Sequence, residues 1–222
     1  PPYSLFRKKD LGTLDANGNP TKVSSYKDIN YDKWASADRY KWIEYHKWKV
    51  SGELYTKVIG DFVIMTRAQF GYLGFYNRKW GYSPFEGFRV GGDGMSGYDT
   101  YGADIIALRG YENYYLTPWE ATPYNSNGYY AGNVYDKFTM EFRYPVILQP
   151  QSTIFVLGFL EGGNCWSDIK KFNPFQIKRS AGVGVRVFLP MIGLLGIDWG
   201  YGFDNPVKKN RSQFHFLIGQ QF

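Results

Sequence analysis

The sequence predicts an all-β fold, an antiparallel transmembrane β-barrel of which the chain supplies a C-terminal portion of about seven to eight strands. Three observations predict it. Apolar side chains alternate with a second face made mostly of glycine and single charged or amide residues. Short turns alternate along the chain with longer links. Aromatic residues make up 20% of the 222 positions and glycine fills 26 of them, a combination suited to pleated surfaces and tight turns. The mean hydropathy of −0.41 does not argue against a barrel, because lipid-facing and lumen-facing residues average out along each strand. No apolar run approaches the ~18 residues that a membrane helix needs.

The strands are read in order near 40–55, 61–74, 135–145, 152–162, 180–189, 193–203 and 212–222. In the first, Trp48, Val50 and Leu54 oppose Ser51 and Glu53. In the second, Phe62, Ile64, Ala68, Phe70 and Tyr72 oppose Arg67, Gln69 and Gly71. In the third, Phe138, Met140, Phe142 and Tyr144 oppose Lys137, Thr139, Glu141 and Arg143. The fourth fits less well: Phe155, Leu157 and Phe159 share a side with Glu161, which calls for a bulge or a partly apolar lumen. In the fifth, Val183, Val185 and Val187 oppose Gly182, Gly184 and Arg186. In the sixth, Leu195, Ile197, Trp199, Tyr201 and Phe203 oppose Gly196, Asp198, Gly200, Gly202 and Asp204. In the last, Phe214, Phe216, Ile218 and Phe222 oppose Gln213, His215, Leu217, Gly219 and Gln221.

Short turns fall at 58–60, 145–151 and 190–192, and longer links at 7–39, 75–134, 163–179 and 204–211. Short turns at one end and long loops at the other are the pattern of outer-membrane barrels. The whole of 1–222 reads as one barrel domain, with 75–134 a long loop too extensive to be an idle connection. Bacterial single-chain barrels use even strand numbers. The odd count, together with an opening PPYSLF that reads as the tail of another strand, predicts a larger barrel truncated at its beginning.

Chemistry is sparse. The chain carries no P-loop, no dinucleotide-binding glycine motif and no paired-histidine motif. His46 and His215 are the only histidines and read as strand side chains, because no Cys, Asp or Glu stands at metal spacing from them. The Gly91–Gly94 stretch lacks the oxygen ligands of a calcium loop and reads as a turn. Cys165 has no base partner and no cysteine to pair with. Neither enzymatic activity nor a metal or cofactor is expected. The net charge is +6, but the cations are scattered rather than striped, which argues against nucleic acid.

Inside the long loop, Asp104 to Glu112 sets one arginine in an apolar-aromatic run, a pattern with no use at a solvated tip. Leu108-Arg109-Gly110-Tyr111 resembles the Val/Ile-Arg-Gly-Phe/Tyr loop signature of the BamA family of outer-membrane assembly insertases. Val90-Gly91-Gly92 resembles the element that opens that loop. Phe159 to Trp166 is similar to a family strand bearing an acidic residue, then glycine, then an aromatic, and Phe214 to Phe222 is similar to the closing strand. The resemblance covers nearly the whole chain and matches the C-terminal half of the family's barrel.

That resemblance implies an outer-membrane location and an insertase whose clients are nascent outer-membrane proteins. Accessory lipoproteins and the lipid bilayer are its further partners. It also implies a latch of Leu108, Arg109, Gly110 and Tyr111 folded into the barrel. Arg109 would pair with Glu141 and Glu161, and Leu108 and Tyr111 would pack against Leu157 and Phe159. A lateral seam would run along the last strand through Phe214, Phe216, Ile218, Gly219 and Phe222. The family's periplasmic domains and first barrel strand have no counterpart in the sequence. Two alternatives stand beside this reading. One is a related two-partner secretion or surface-protein assembly barrel, since that superfamily shares the Arg-Gly loop. The other is a soluble carbohydrate-binding β-sandwich using Trp34, Trp42, Trp48 and Trp119.

Overall fold

A computed structural model describes residues 43–76, 81–94, 102–122, 125–149, 152–190, 193–205 and 211–219. PPYSLF, Trp34, Trp42 and Phe222 lie outside them. Seven long strands form one sheet: β1 (Tyr45–Ile59), β2 (Phe62–Phe75), β7 (Val134–Gln149), β8 (Ser152–Trp166), β9 (Lys178–Leu189), β10 (Gly193–Gly202) and β11 (Ser212–Gly219). Their spatial order follows the chain, β1-β2-β7-β8-β9-β10-β11, and the pairs from β2 to β11 are antiparallel. Among the described residues β1 and β11 are the two edges of the sheet. The 75–134 segment, read from the sequence as a long lumen-inserting loop, contains four short strands. Of these, β3 (Gly87–Val90) pairs in parallel with β4 (Ala103–Ile106), and β5 (Trp119–Thr122) pairs antiparallel with β6 (Asn125–Tyr130).

Contacts divide the chain into two units, Pro1–Lys47 with Leu73–Pro84 and Trp48–Tyr72 with Phe85–Phe222. In the first, the His46 and Tyr76 rings meet edge-on at 5.1 Å, and Phe75 meets Tyr82 at 4.8 Å. The second contains everything that follows.

Its sheet has a polar inner face and an apolar outer one. Glu141, Glu161, Lys137, Arg186, Asp198 and His215 are buried, whereas Phe138, Met140, Val156, Leu160, Val183, Ile197 and Trp199 are exposed. A soluble sandwich buries its apolar face and wets its polar one. The reverse arrangement is stable only where lipid solvates the outside. This excludes the sugar-binding sandwich. Of the tryptophans that reading required, Trp48 lies on edge strand β1 and Trp119 packs against Tyr130 in the separate β5–β6 hairpin.

The misfit in β8 is resolved without a bulge. Register runs unbroken from Val156 to Glu161, and Leu157 and Phe159 are buried on the inner face beside Glu161. The register shift lies in β7, between Pro145 and Ile147, because proline has no N–H to give the ladder. β7 therefore continues past the turn expected at 145, to Gln149.

Register also explains the inner-face glycines. Glu141 stands opposite Phe159, which stands opposite Gly182, which stands opposite Gly200. One row along, Arg143, Leu157, Gly184, Asp198 and His215 line up across five strands. A Cβ on Gly184 would collide with the Asp198 carboxylate, and one on Gly196 would come within 2.7 Å of the Arg186 side chain. The glycines leave the volume that their neighbours' large side chains occupy.

Candidate functional site

The segment from Leu108 to Tyr111 folds onto this inner face, and all four residues are buried. Backbone geometry brings it there. The Leu108 N–H donates to the Gly92 carbonyl at 3.1 Å, and Gly92 (φ 80) and Gly91 (φ 125) adopt a conformation that disfavours side chains. Gly110 (φ 88) makes the turn that separates Arg109 from Tyr111. Its peptide lies flat on the glycine track of β10. A Cβ on Gly200 would sit 2.7 Å from the Gly110 nitrogen, and one on Gly202 would sit 2.6 Å from the Gly110 carbonyl oxygen.

The Arg109 guanidinium meets three carboxylates from three strands. Its Nη2 donates to Glu141 Oε1 at 2.6 Å and to Glu161 Oε1 at 2.8 Å, and its Nη1 donates to Asp198 Oδ2 at 2.9 Å. The Arg109 backbone N–H donates to the other Glu161 oxygen at 2.8 Å. The Phe159 ring lies under the guanidinium, 3.7 Å from centroid to carbon. Each carboxylate has a further cation. Lys137 Nζ lies 3.2 Å from Glu161, Arg143 Nη2 lies 2.7 Å from Glu141, and Arg186 grips Asp198 with two bonds of 2.5 and 2.6 Å. Four cations thus face three carboxylates in a nearly neutral cluster. That balance makes burial of so many charges tolerable. Burial opposes the charge of Arg109, but Glu161 and Glu141 more than offset it and hold the guanidinium protonated more firmly than in water.

The structure therefore brings Arg109 to both carboxylates singled out in the sequence, Glu141 and Glu161. It adds Asp198, Lys137, Arg143, Arg186 and His215. Phe159 lies under the arginine, Leu108 covers Gly163, and Tyr111 lies over Gly202. A Cβ on Gly163 would come within 2.9 Å of Leu108, which is why β8 is glycine there. The Tyr111 hydroxyl donates to the Arg179 carbonyl at 2.7 Å. His215, read as an ordinary strand side chain, accepts the Gly110 N–H on Nε2 at 2.8 Å. Beside the cluster is a cavity of about 340 Å³ that Asp93, Arg109, Arg186 and His215 help to line.

A sequence model of the Omp85 superfamily domain matches residues 13–222. The chain belongs to the Omp85 superfamily. Omp85 domains are outer-membrane β-barrels, in keeping with the antiparallel sheet and its apolar outer face. No curated protein matches the chain. In this Omp85 domain four of the five seam residues named from the sequence fall on β11, and Phe222 lies outside the described residues. Phe214, Phe216 and Ile218 point outward and are 68%, 55% and 66% exposed, and Gly219 (φ 128) ends the strand.

Tyr111 supplies a pH prediction for the Omp85 latch. Burial pushes its phenol up to about 12. A raised pKa means that the folded state holds its proton longer than the unfolded state. The hydroxyl's contribution is therefore complete below pH ~10 and falls between ~10 and ~12. The thermal transition of the folded barrel should drop across that window more steeply in the wild type than in Tyr111→Phe. Equal slopes would detach Tyr111 from the latch.

Proposed function

We propose that this domain is part of a BamA-type insertase, which assembles outer-membrane proteins through a lateral seam at β11. The observation that carries the reading is the state of that strand. Among the described residues β11 is an eight-residue edge with β10 as its ladder neighbour, Phe214, Phe216 and Ile218 face outward, and its inner face is fastened to the latch. A strand at the edge of a sheet can accept another strand beside it, and an incoming barrel protein has such a strand to offer. Gly219, at φ 128, is the last residue of β11 and pairs with Leu194. Clients would be nascent outer-membrane proteins. The outer membrane would hold the domain, and accessory lipoproteins would bind the complete protein.

Depletion of the complete protein from growing cells tests the reading. Unfolded barrel proteins of many kinds should accumulate, with their heat-stable folded forms lost from the membrane. If barrel proteins assemble normally and one exported partner alone disappears from the medium, the domain is a two-partner secretion transporter. Tying β11 covalently to the strand that faces it should likewise slow assembly. Normal assembly with the seam demonstrably locked would remove the seam from the mechanism.

A further inference from the structure

His215 lies on β11, directly opposite Asp198 on β10 in the strand register. Those two side chains take hold of consecutive latch residues. Asp198 accepts from the Arg109 guanidinium, and His215 accepts from the Gly110 backbone N–H. The Gly110 peptide has little room to move: a Cβ at Gly110 would lie 3.0 Å from Gly202 N and from Ser180 Cβ. A backbone N–H can only donate, so the Nε2 that receives it must carry no proton, and the ring is the neutral tautomer with hydrogen on Nδ1. The imidazole is 6% exposed, too enclosed for water to replace the bond without local opening.

We propose that His215 is a positioning residue that joins the latch to the closing strand, so that loss of its neutral acceptor nitrogen releases β11 and the latch together. This deepens the insertase reading by assigning the contact through which loop and seam act as one body. The bond leaves the sheet for the loop packed on its inner face. It therefore restrains the strand in a direction in which backbone pairing does not. A charged imidazole would present N–H to N–H and push Gly110 away. The ionisable groups facing the ring are Asp93 and Arg109 on the loop, Glu161 on β8 and Asp198 on β10. Three of the four are acids, so a proton arriving on His215 has carboxylates to turn towards. Burial of the ring opposes its charge, so acid strong enough to overcome that burial is expected to redirect the imidazole from Gly110 to a carboxylate.

The test is amide hydrogen exchange on the complete protein in bilayers, corrected for intrinsic pH dependence, with β8 as internal reference. In the wild type, exchange of 213–219 and of 108–111 should rise together by about three- to tenfold between pH 8 and pH 4, the scale of one net hydrogen bond. His215→Gln keeps a neutral acceptor and should remain protected at both values. His215→Phe keeps a ring without an acceptor and should exchange fast at both. Wild-type protection that does not change with pH, or a latch that opens while β11 stays protected, would overturn the coupling. If His215→Phe fails to fold, the wild type against His215→Gln decides alone. Exchange does not depend on client assembly. Coupled exchange in a protein that assembles no barrels would sink the insertase reading and leave the coupling standing.

Discussion

Arg109→Ala should open the latch and take from Glu141, Glu161 and Asp198 the one cation that all three share. Removing one member of a buried charge cluster costs about 3–5 kcal/mol, because the partners stay buried without it. The three remaining cations, Lys137, Arg143 and Arg186, limit the damage to the lower part of that range. The effect should appear in two places. Protease should cut within 102–122 where the wild type resists, and the temperature at which the folded barrel unfolds should fall. Arg109→Lys should restore little. An ammonium is a compact point charge and cannot span carboxylates on β7, β8 and β10 as the planar fork does. An Arg109→Ala protein with an uncut loop and an unchanged transition would show that the cluster does not hold the loop.

Asp198→Ala should be as severe, for a different reason. Asp198 is the only carboxylate that Arg186 is seen to grip among the described residues, and it also holds one Nη of Arg109. Its loss orphans one arginine and loosens another, again about 3–5 kcal/mol if both stay buried. A double-mutant cycle separates the two effects. Adding Arg186→Met to Asp198→Ala removes the orphaned charge and should recover a large part of the lost stability. Mutation of independent sites would simply add. Strict additivity would mean that Arg186 finds water or another partner once Asp198 is gone.

Much of this site was legible in the alternation. Glu141 and Glu161 fall on the predicted inner faces, and the Arg-Gly-Tyr run stood out because an apolar loop must be enclosed. Asp198 and His215 were on the inner-face side of the alternation as well, yet neither was chosen. Their selection depends on cross-strand register, which places 198 beside 215, the one to meet Arg109 and the other Gly110. Periodicity along one strand carries no information about that offset. Strand ends were misjudged for a related reason. The strands were ended at 145 and 162, but β7 takes Pro145 at a register shift and β8 runs on to Trp166, using Gly163 to admit Leu108. Phe159 looked like a break in the pattern because its face was judged by polarity. Its ring is in place to carry a guanidinium.

The bonds of Arg109 and Gly110 reach partners 32, 52, 89 and 105 residues further along the chain. Contacts of such separation form late, after the intervening chain has been ordered. During synthesis the latch emerges well before Asp198 and His215 exist. It can engage one carboxylate on β7, then a second on β8, but it cannot be completed until the last strand is in register. The fastened loop is therefore a record of finished folding. A barrel that lacks only β11 would still show an unfastened Gly110.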